Sequence, residues 1–187
     1  MIRLIGFLIG AGLSIVAVNA PAQAQWPFGA PPPLSEIEDR LANRHDTIEH
    51  ITVDTLAAMQ TGDERFILLD VRERREYDVS HIPGAMHVDP GANASDVKGL
   101  LTGARADTPI VVYCTVGRRS SRLGSRIETA LAGRKISNLR GGILAWHNAG
   151  KPLENAAGTT DAVHPYNKRR EKLLVRSDTI TYAPIRP

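Results

Sequence analysis

The chain carries a single cysteine, Cys114, among 187 residues. An internal disulfide is therefore excluded. So is a redox or arsenate-reducing mechanism in which a second cysteine of the same chain resolves an intermediate. A strong charge of one sign is also missing. Lys and Arg total 23 against 20 Asp and Glu, a formal net charge of +3. That is too mild and too evenly spread for nucleic acid to be the main partner. The histidines form no cluster with metal-ligand spacing, and no internal repeat is present. No apolar run reaches the roughly 20 residues that a membrane-spanning helix needs.

The amino terminus does hold one shorter apolar run, from Leu4 to Val18, preceded by Arg3 and followed by the small-x-small box Ala22-Gln23-Ala24. This pattern predicts a secretory signal peptide over residues 1–24, cut after Ala24. The alternative, a retained anchor, fits the short run less well. No cysteine follows the box, so a lipid anchor has no attachment point. The expected location is the periplasm or the exterior, with no permanent membrane span after cleavage. Export makes the lone thiol informative, because oxidising compartments favour paired cysteines. An unpaired one is either an inert, buried small hydrophobe or a thiol kept for chemistry.

Residues 25–34 read as a proline-rich linker and 35–49 as a helical extension. Ser35 and Glu38 fit a capping box for a helix to about Arg44, with Ile37, Leu41 and Ile48 as its apolar contacts. Ile51 to Val53 is a short strand, and Asp54 can cap a helix over Thr55 to Met59. The apolar runs Phe66–Val71 and Pro109–Tyr113 predict strands buried on both faces, and Ile136–Leu139 a third core strand. Met86–Val88 is a shorter strand. Helices are expected over Asp96–Thr102, Ser120–Ala132 and Gly141–Ala149. Alternation of buried strands with helices implies an α/β domain with a central parallel sheet covered on both sides, here over residues 50–153. Residues 154–187 read as a polar, basic, solvated tail wrapping the domain, with a short edge strand at Thr179–Tyr182.

Cys114 directly follows a predicted central strand, where parallel sheets place their ligands. Thr115, Val116, Gly117, Arg118 and Arg119 come next, then a helix starting near Ser120. A strand end, a glycine loop and a helix amino terminus make an anion cradle. Two arginines add full charges that stabilise a thiolate and attract an anionic substrate. This is the setting of an activated nucleophile rather than an inert core cysteine. Cysteine phosphatases place an arginine at the sixth position after the cysteine and usually a histidine before it. Here those positions hold Ser120 and Tyr113, and Arg119 comes one place early. The smaller ring suits a sulfane sulfur on the cysteine.

The order tyrosine, cysteine, loop glycine, Arg119, Ser120 resembles the active-site loop of rhodanese-family sulfurtransferases. Leu69-Asp70-Val71-Arg72-Glu73 is similar to that family's Asp-Val-Arg segment. Tyr77 followed by His81-Ile82-Pro83-Gly84-Ala85 and Val88 is similar to its signature. Leu139-Arg140-Gly141-Gly142, Trp146 and Gly150-Lys151-Pro152 are similar to its closing motif. The resemblance covers about residues 50–153 and implies a rhodanese-like three-layer domain. It also implies a double displacement. Cys114 takes a sulfane sulfur from an anionic donor such as thiosulfate, and the resulting persulfide passes it to cyanide or a thiol. No metal or organic cofactor is required. Thr115 to Ser120 are the expected substrate-binding loop. A second expectation is a persulfide carrier with little turnover that delivers sulfur to a partner protein, the basic tail being its docking surface.

The remaining motif residues read as supports. Asp70 ends a strand beside Cys114 and can accept from loop amides or pair with an arginine. Arg72 and Glu76 read either as an ion pair bracing this edge or as solvated surface residues. His81 is expected to hold the Pro83-Gly84 turn, with a general-base role the weaker alternative. His87 is too isolated for a metal site. Gly141 and Gly142 allow close backbone approach to the loop, and Trp146 is expected in the core.

Overall fold

A computed structural model describes residues 30–131 and 133–184. The signal segment at 1–24 and the first half of the proline-rich linker lie outside the described residues. No helix among the described residues is long and apolar enough to cross a membrane.

The buried runs form one five-stranded sheet from β1 (Glu49–Ile51), β2 (Ile67–Asp70), β3 (Met86–His87), β4 (Ile110–Tyr113) and β5 (Ile136–Leu139). The spatial order is β1-β5-β4-β2-β3, and every neighbouring pair is parallel. Strand periodicity of two sends alternate residues to opposite faces. Leu68, Val111, Tyr113 and Leu139 pack with α1 (Leu34–Arg44), α2 (Val53–Thr61) and α6 (Gly142–Asn148). Leu69, Ile110, Val112 and Cys114 face α4 (Ala94–Leu100) and α5 (Arg118–Ile127). On α5 the spacing of Leu123 and Ile127 buries one stripe completely, each side chain contributing about 1.5–3 kcal/mol by burial. Connections run outward from β2 to β3 and from β4 to β5, in opposite directions. The carboxyl ends of β2 and β4 therefore flank the switch point where α/β sheets bind ligands.

Several local expectations change. Thr52, not Asp54, caps α2, its hydroxyl accepting the Thr55 N–H at 3.1 Å. Helix α1 follows Pro33 with no side-chain cap, so the Ser35–Glu38 box does not form. The helix already begins at Leu34, so Ser35 lies inside its first turn and not at the cap. A short helix, α3 (Arg74–Val79), lies within the stretch read only as motif. Its Glu73–Glu76 pair forms a capping box.

The largest difference is the carboxyl-terminal segment. It forms a hairpin of β6 (Leu153–Asn155) and β7 (Gly158–Thr160), then α7 (Lys168–Glu171). Val163, Leu173 and Leu174 are buried in the same core as Trp146. These residues are too few and too widely spaced to give a periodic signal. In place of an edge strand at Thr179–Tyr182 there is a 3₁₀ turn at Ser177–Thr179 and a single bridge between Val163 and Ile180.

Candidate active site

Strand β4 ends at Tyr113, and the chain turns sharply at Gly117, whose φ of 93° suits glycine. A Cβ there would press on the Asn138 side chain and the Leu139 carbonyl. Helix α5 then begins at Arg118, two residues before the expected Ser120. Arg118 to Ser120 are thus its first turn, and their N–H groups lack carbonyl partners within the helix. The Arg119 N–H donates to Cys114 Sγ at 3.3 Å. The loop is held from behind by α6. Ile143 N–H donates to the Cys114 carbonyl at 2.9 Å and Leu144 N–H to the Thr115 carbonyl at 3.2 Å. Gly142, with φ of 56°, makes this approach feasible, because a Cβ would collide with the Cys114 carbonyl. Ser120 Oγ donates to Asn138 Oδ1 at 2.6 Å, and Ser121 Oγ to the Gly117 carbonyl at 2.6 Å.

Two carboxylate–arginine pairs lie beside this loop. Arg72 pairs with Asp70, Nη2 to Oδ2 at 2.6 Å, with Nε at 2.9 Å from Oδ1. Both residues are fully buried. Arg119 forms a fork on Glu76, at 2.6 Å and 2.9 Å, and Thr115 Oγ1 donates to the same carboxylate at 2.9 Å. The expected Arg72–Glu76 pair is therefore not formed. Asp70 lies two residues from Arg72 and captures it at the strand end, while α3 aims Glu76 at Arg119.

A cavity of about 240 Å³ opens over Cys114. Thr115, Val116, Arg118 and Arg119 line it, together with Arg122, Tyr166 and Arg170. Cys114 itself is only 1% exposed. Burial pushes its thiol pKa up, but the Arg119 charge and the backbone N–H donors of the loop, Ser120's first, outweigh that and bring it below a thiol's ordinary value. Burial likewise pushes the Glu76 carboxyl up, and the hydrogen bonds and charge of Arg119 more than reverse it. The site therefore favours the anionic form of the sulfur beside a fixed guanidinium, with a backbone donor already in place. Such an atom can attack an electrophilic sulfur and carry the product as an anion.

All six loop residues expected at the site gather around Cys114, four of them on the cavity and Gly117 and Ser120 behind it. Asp70 and Arg72 do not line the cavity. Arg72 Nη2 donates to the Ser80 carbonyl, and its Cζ lies 6.0 Å from the Tyr113 ring, so the pair braces the two strand ends from beneath. His81 stacks on Tyr77 at 3.8 Å between centroids, and its Nδ1 meets the Tyr77 carbonyl. It holds the turn and is not brought to the thiol. His87 contacts the Arg72 carbonyl at 2.8 Å. Trp146 is buried and donates to the Pro152 carbonyl. The sequence reading missed the role of Glu76, and it missed Arg122, Tyr166 and Arg170. Arg122 was accessible in principle, being one helical turn beyond Arg118. Tyr166 and Arg170 share that spacing in the basic stretch, a weaker signal.

A cysteine with a lowered thiol pKa at the carboxyl end of a central parallel strand, cradled by the next helix, has the arrangement that suits a nucleophile on an α/β sheet. The Rhodanese-like domain family matches residues 52–149, and the chain belongs to that family. It is 30% identical over 105 residues to YtwF of Bacillus subtilis, provisionally named a sulfurtransferase, covering 56% of this chain and 96% of that one. It is 38% identical over 91 residues to the HTH-type transcriptional regulator Rv0324 of Mycobacterium tuberculosis. It is 35% identical over 118 residues to the adenylyltransferase and sulfurtransferase uba4 of Pyricularia oryzae. These matches cover 48% and 52% of this chain, but only 38% and 24% of those two relatives. A thiosulfate sulfurtransferase from Pseudomonas aeruginosa shares the fold, with a TM-score of 0.56 at 22% identity over 66% of this chain and 23% of that one.

Proposed function

We propose that the protein is a sulfurtransferase that moves a sulfane sulfur through a persulfide on Cys114. The observation that carries this reading is the Cys114 thiol, its pKa lowered beside Arg119, facing a small arginine-lined cavity. Family membership supports sulfur transfer in general, and two relatives are named as sulfurtransferases.

In the proposed cycle the Cys114 thiolate attacks the outer sulfur of thiosulfate. A new S–S bond forms, the donor's S–S bond breaks, and its electron pair leaves with sulfite. The terminal sulfur of the persulfide stays anionic against the amino-terminal turn of α5. Cyanide or a thiolate then attacks that sulfur, and the electron pair returns to Sγ. The Glu76 fork fixes Arg119 so that it need not reorganise between steps. On the sequence of residues 1–24 the reaction takes place outside the cytoplasm, in the periplasm or beyond.

The Cys114→Ser variant is expected to lose all thiosulfate-to-cyanide turnover and to gain no sulfur by intact mass. Wild-type turnover in that variant would overturn the assignment. A carrier reading is favoured by the groove that adjoins the cavity, where Arg40, Arg44 and Arg169 join Arg118 and Arg170. Sulfur loading by intact mass with negligible thiocyanate release would select it over turnover.

A further inference from the structure

The cavity over Cys114 is built by two parts of the chain. Cys114, Thr115, Val116, Arg118, Arg119 and Arg122 come from the family domain, whose match ends at residue 149. The outer side comes from the segment beyond it, through Tyr166 and Arg170. That segment is pinned at both ends. Val163 is buried before it, and Leu173 and Leu174 after it. Asn148 clasps the far end, donating to the Leu173 carbonyl at 2.8 Å and accepting the Val175 N–H at 2.9 Å. Between these anchors Tyr166 adopts a φ of 77°, a region that bulky residues rarely occupy. Its N–H bonds to Nδ1 of the buried His164 at 3.0 Å. The turn lays its ring 4.9 Å from Arg119 Cζ. Asn167 then caps α7 by accepting the Arg170 N–H at 3.0 Å, which sets Arg170 against the cavity.

The charges on this cavity do not balance. Of its four arginines, only Arg119 has a carboxylate partner among the described residues. Arg170 is half-buried there without one. Burial holds its pKa below a guanidinium's ordinary value, and the Cys114 thiolate pulls the other way while Arg169 and Arg118 add to the fall. An unpaired, partly desolvated cation is costly, and a bound anion relieves it. In-line attack by Sγ on the outer sulfur of a donor directs the leaving oxyanion away from Sγ, toward this outer side.

We propose that the segment beyond the family domain completes the donor site, with Arg170 binding the leaving-group oxyanion of a compact dianionic donor and Tyr166 closing the cavity around it. The proposal rests on the sulfur-transfer reading, so its test has an arm that does not. Cys114 is alkylated with iodoacetate and, separately, with iodoacetamide. In each case an S–C bond forms and iodide leaves, but only the first reagent is an anion. The ratio of the two rates reports the positive potential at Sγ. Arg170→Gln is expected to lower that ratio by roughly fivefold, Arg170→Lys to restore most of it, and Arg65→Gln, at the opposite end of the sheet, to leave it unchanged. With thiosulfate, Arg170→Gln is expected to raise KM several-fold more than it lowers kcat. With the monoanion methanethiosulfonate the rise should be smaller. An unchanged alkylation ratio in Arg170→Gln, or equal KM effects on the two donors, overturns the proposal. If the wild-type protein transfers no sulfur while Arg170→Gln still lowers the ratio, the sulfur-transfer reading is overturned and Arg170 remains an anion-binding residue.

Discussion

Asp70–Arg72 and Glu76–Arg119 are the same kind of interaction a short distance apart, yet their surroundings differ. The first pair is sealed, with both side chains at 0% exposure; in the second, Glu76 is sealed but Arg119 remains 22% exposed at the cavity. The sealed arginine also donates from Nη2 to the Ser80 carbonyl, while its Nη1 is buried without a protein partner among the described residues. The open one touches Thr115 Oγ1 and sends its backbone N–H to Cys114 Sγ. A buried pair that faces only protein can brace strand ends and nothing else. A pair with one face on a cavity can also set the charge of a reacting atom.

The comparison is broken most severely at the sealed pair. Arg72→Ala leaves Asp70 as a buried carboxylate without its cation, and removing one partner of such a pair costs about 3–5 kcal/mol. The expected result is a large fall in the urea midpoint. The pH profile of Cys114 alkylation, measured on the remaining folded protein, should keep its wild-type midpoint. A shifted midpoint would mean that the sealed pair also tunes the thiol.

Arg119→Gln should divide the effects the other way. Burial is the largest influence on the Cys114 thiol, and Arg119 is the first of the influences that offset it. Without that charge the alkylation midpoint should move to higher pH. Sulfur-transfer kcat/KM should fall by roughly a hundredfold, the scale of losing one preorganised charge stabiliser. The loss of stability should be smaller than for Arg72→Ala, since Glu76 keeps the Thr115 hydroxyl and the Glu73 N–H as donors and the introduced amide can still reach its carboxylate. A midpoint that stays put would show that the backbone donors of α5 suffice.

How much of this was legible before folding follows from where each signal resides. The sheet was legible because Phe66–Val71 and Pro109–Tyr113 are nearly continuous apolar runs, which a two-sided buried strand uses well, while Ile136–Leu139, with Ser137 and Asn138 inside it, was placed by its position in the strand–helix alternation. Cys114 was legible because it abuts one of them. The partners of the two arginines were not. A local spacing of four joined Arg72 to Glu76, whereas the actual fork spans 43 residues and depends on α3 standing over α5. No local rule carries that information. The outer side of the cavity was hidden for a related reason. Val163, Leu173 and Leu174 are isolated apolar residues in a polar, basic stretch, so composition alone reads the segment as solvated. Their burial shows only once the core offers a place for them.

The gentlest way to sharpen the comparison is acid. The folded-state pKa of Glu76 lies below its unfolded value, although burial opposes this, because Arg119 favours the ionised form. A depressed carboxylate contributes stability that is fully present above the unfolded value, near 4.3, and is lost as pH falls through the folded one. Glu76→Gln keeps the shape and a hydrogen bond to Arg119 but has nothing to titrate. Its urea midpoint should be lower than wild type at pH 7, and the gap should narrow as pH drops below the ordinary carboxylate range. Removing that negative charge should also leave Arg119 acting on Cys114 unopposed and draw the alkylation midpoint slightly lower, opposite in sign to Arg119→Gln. Parallel stability curves for the two proteins from pH 7 to pH 3 would mean that Glu76 gains nothing from its fork in the folded state, and the distinction between a bracing pair and a tuning pair would rest on Arg119 alone.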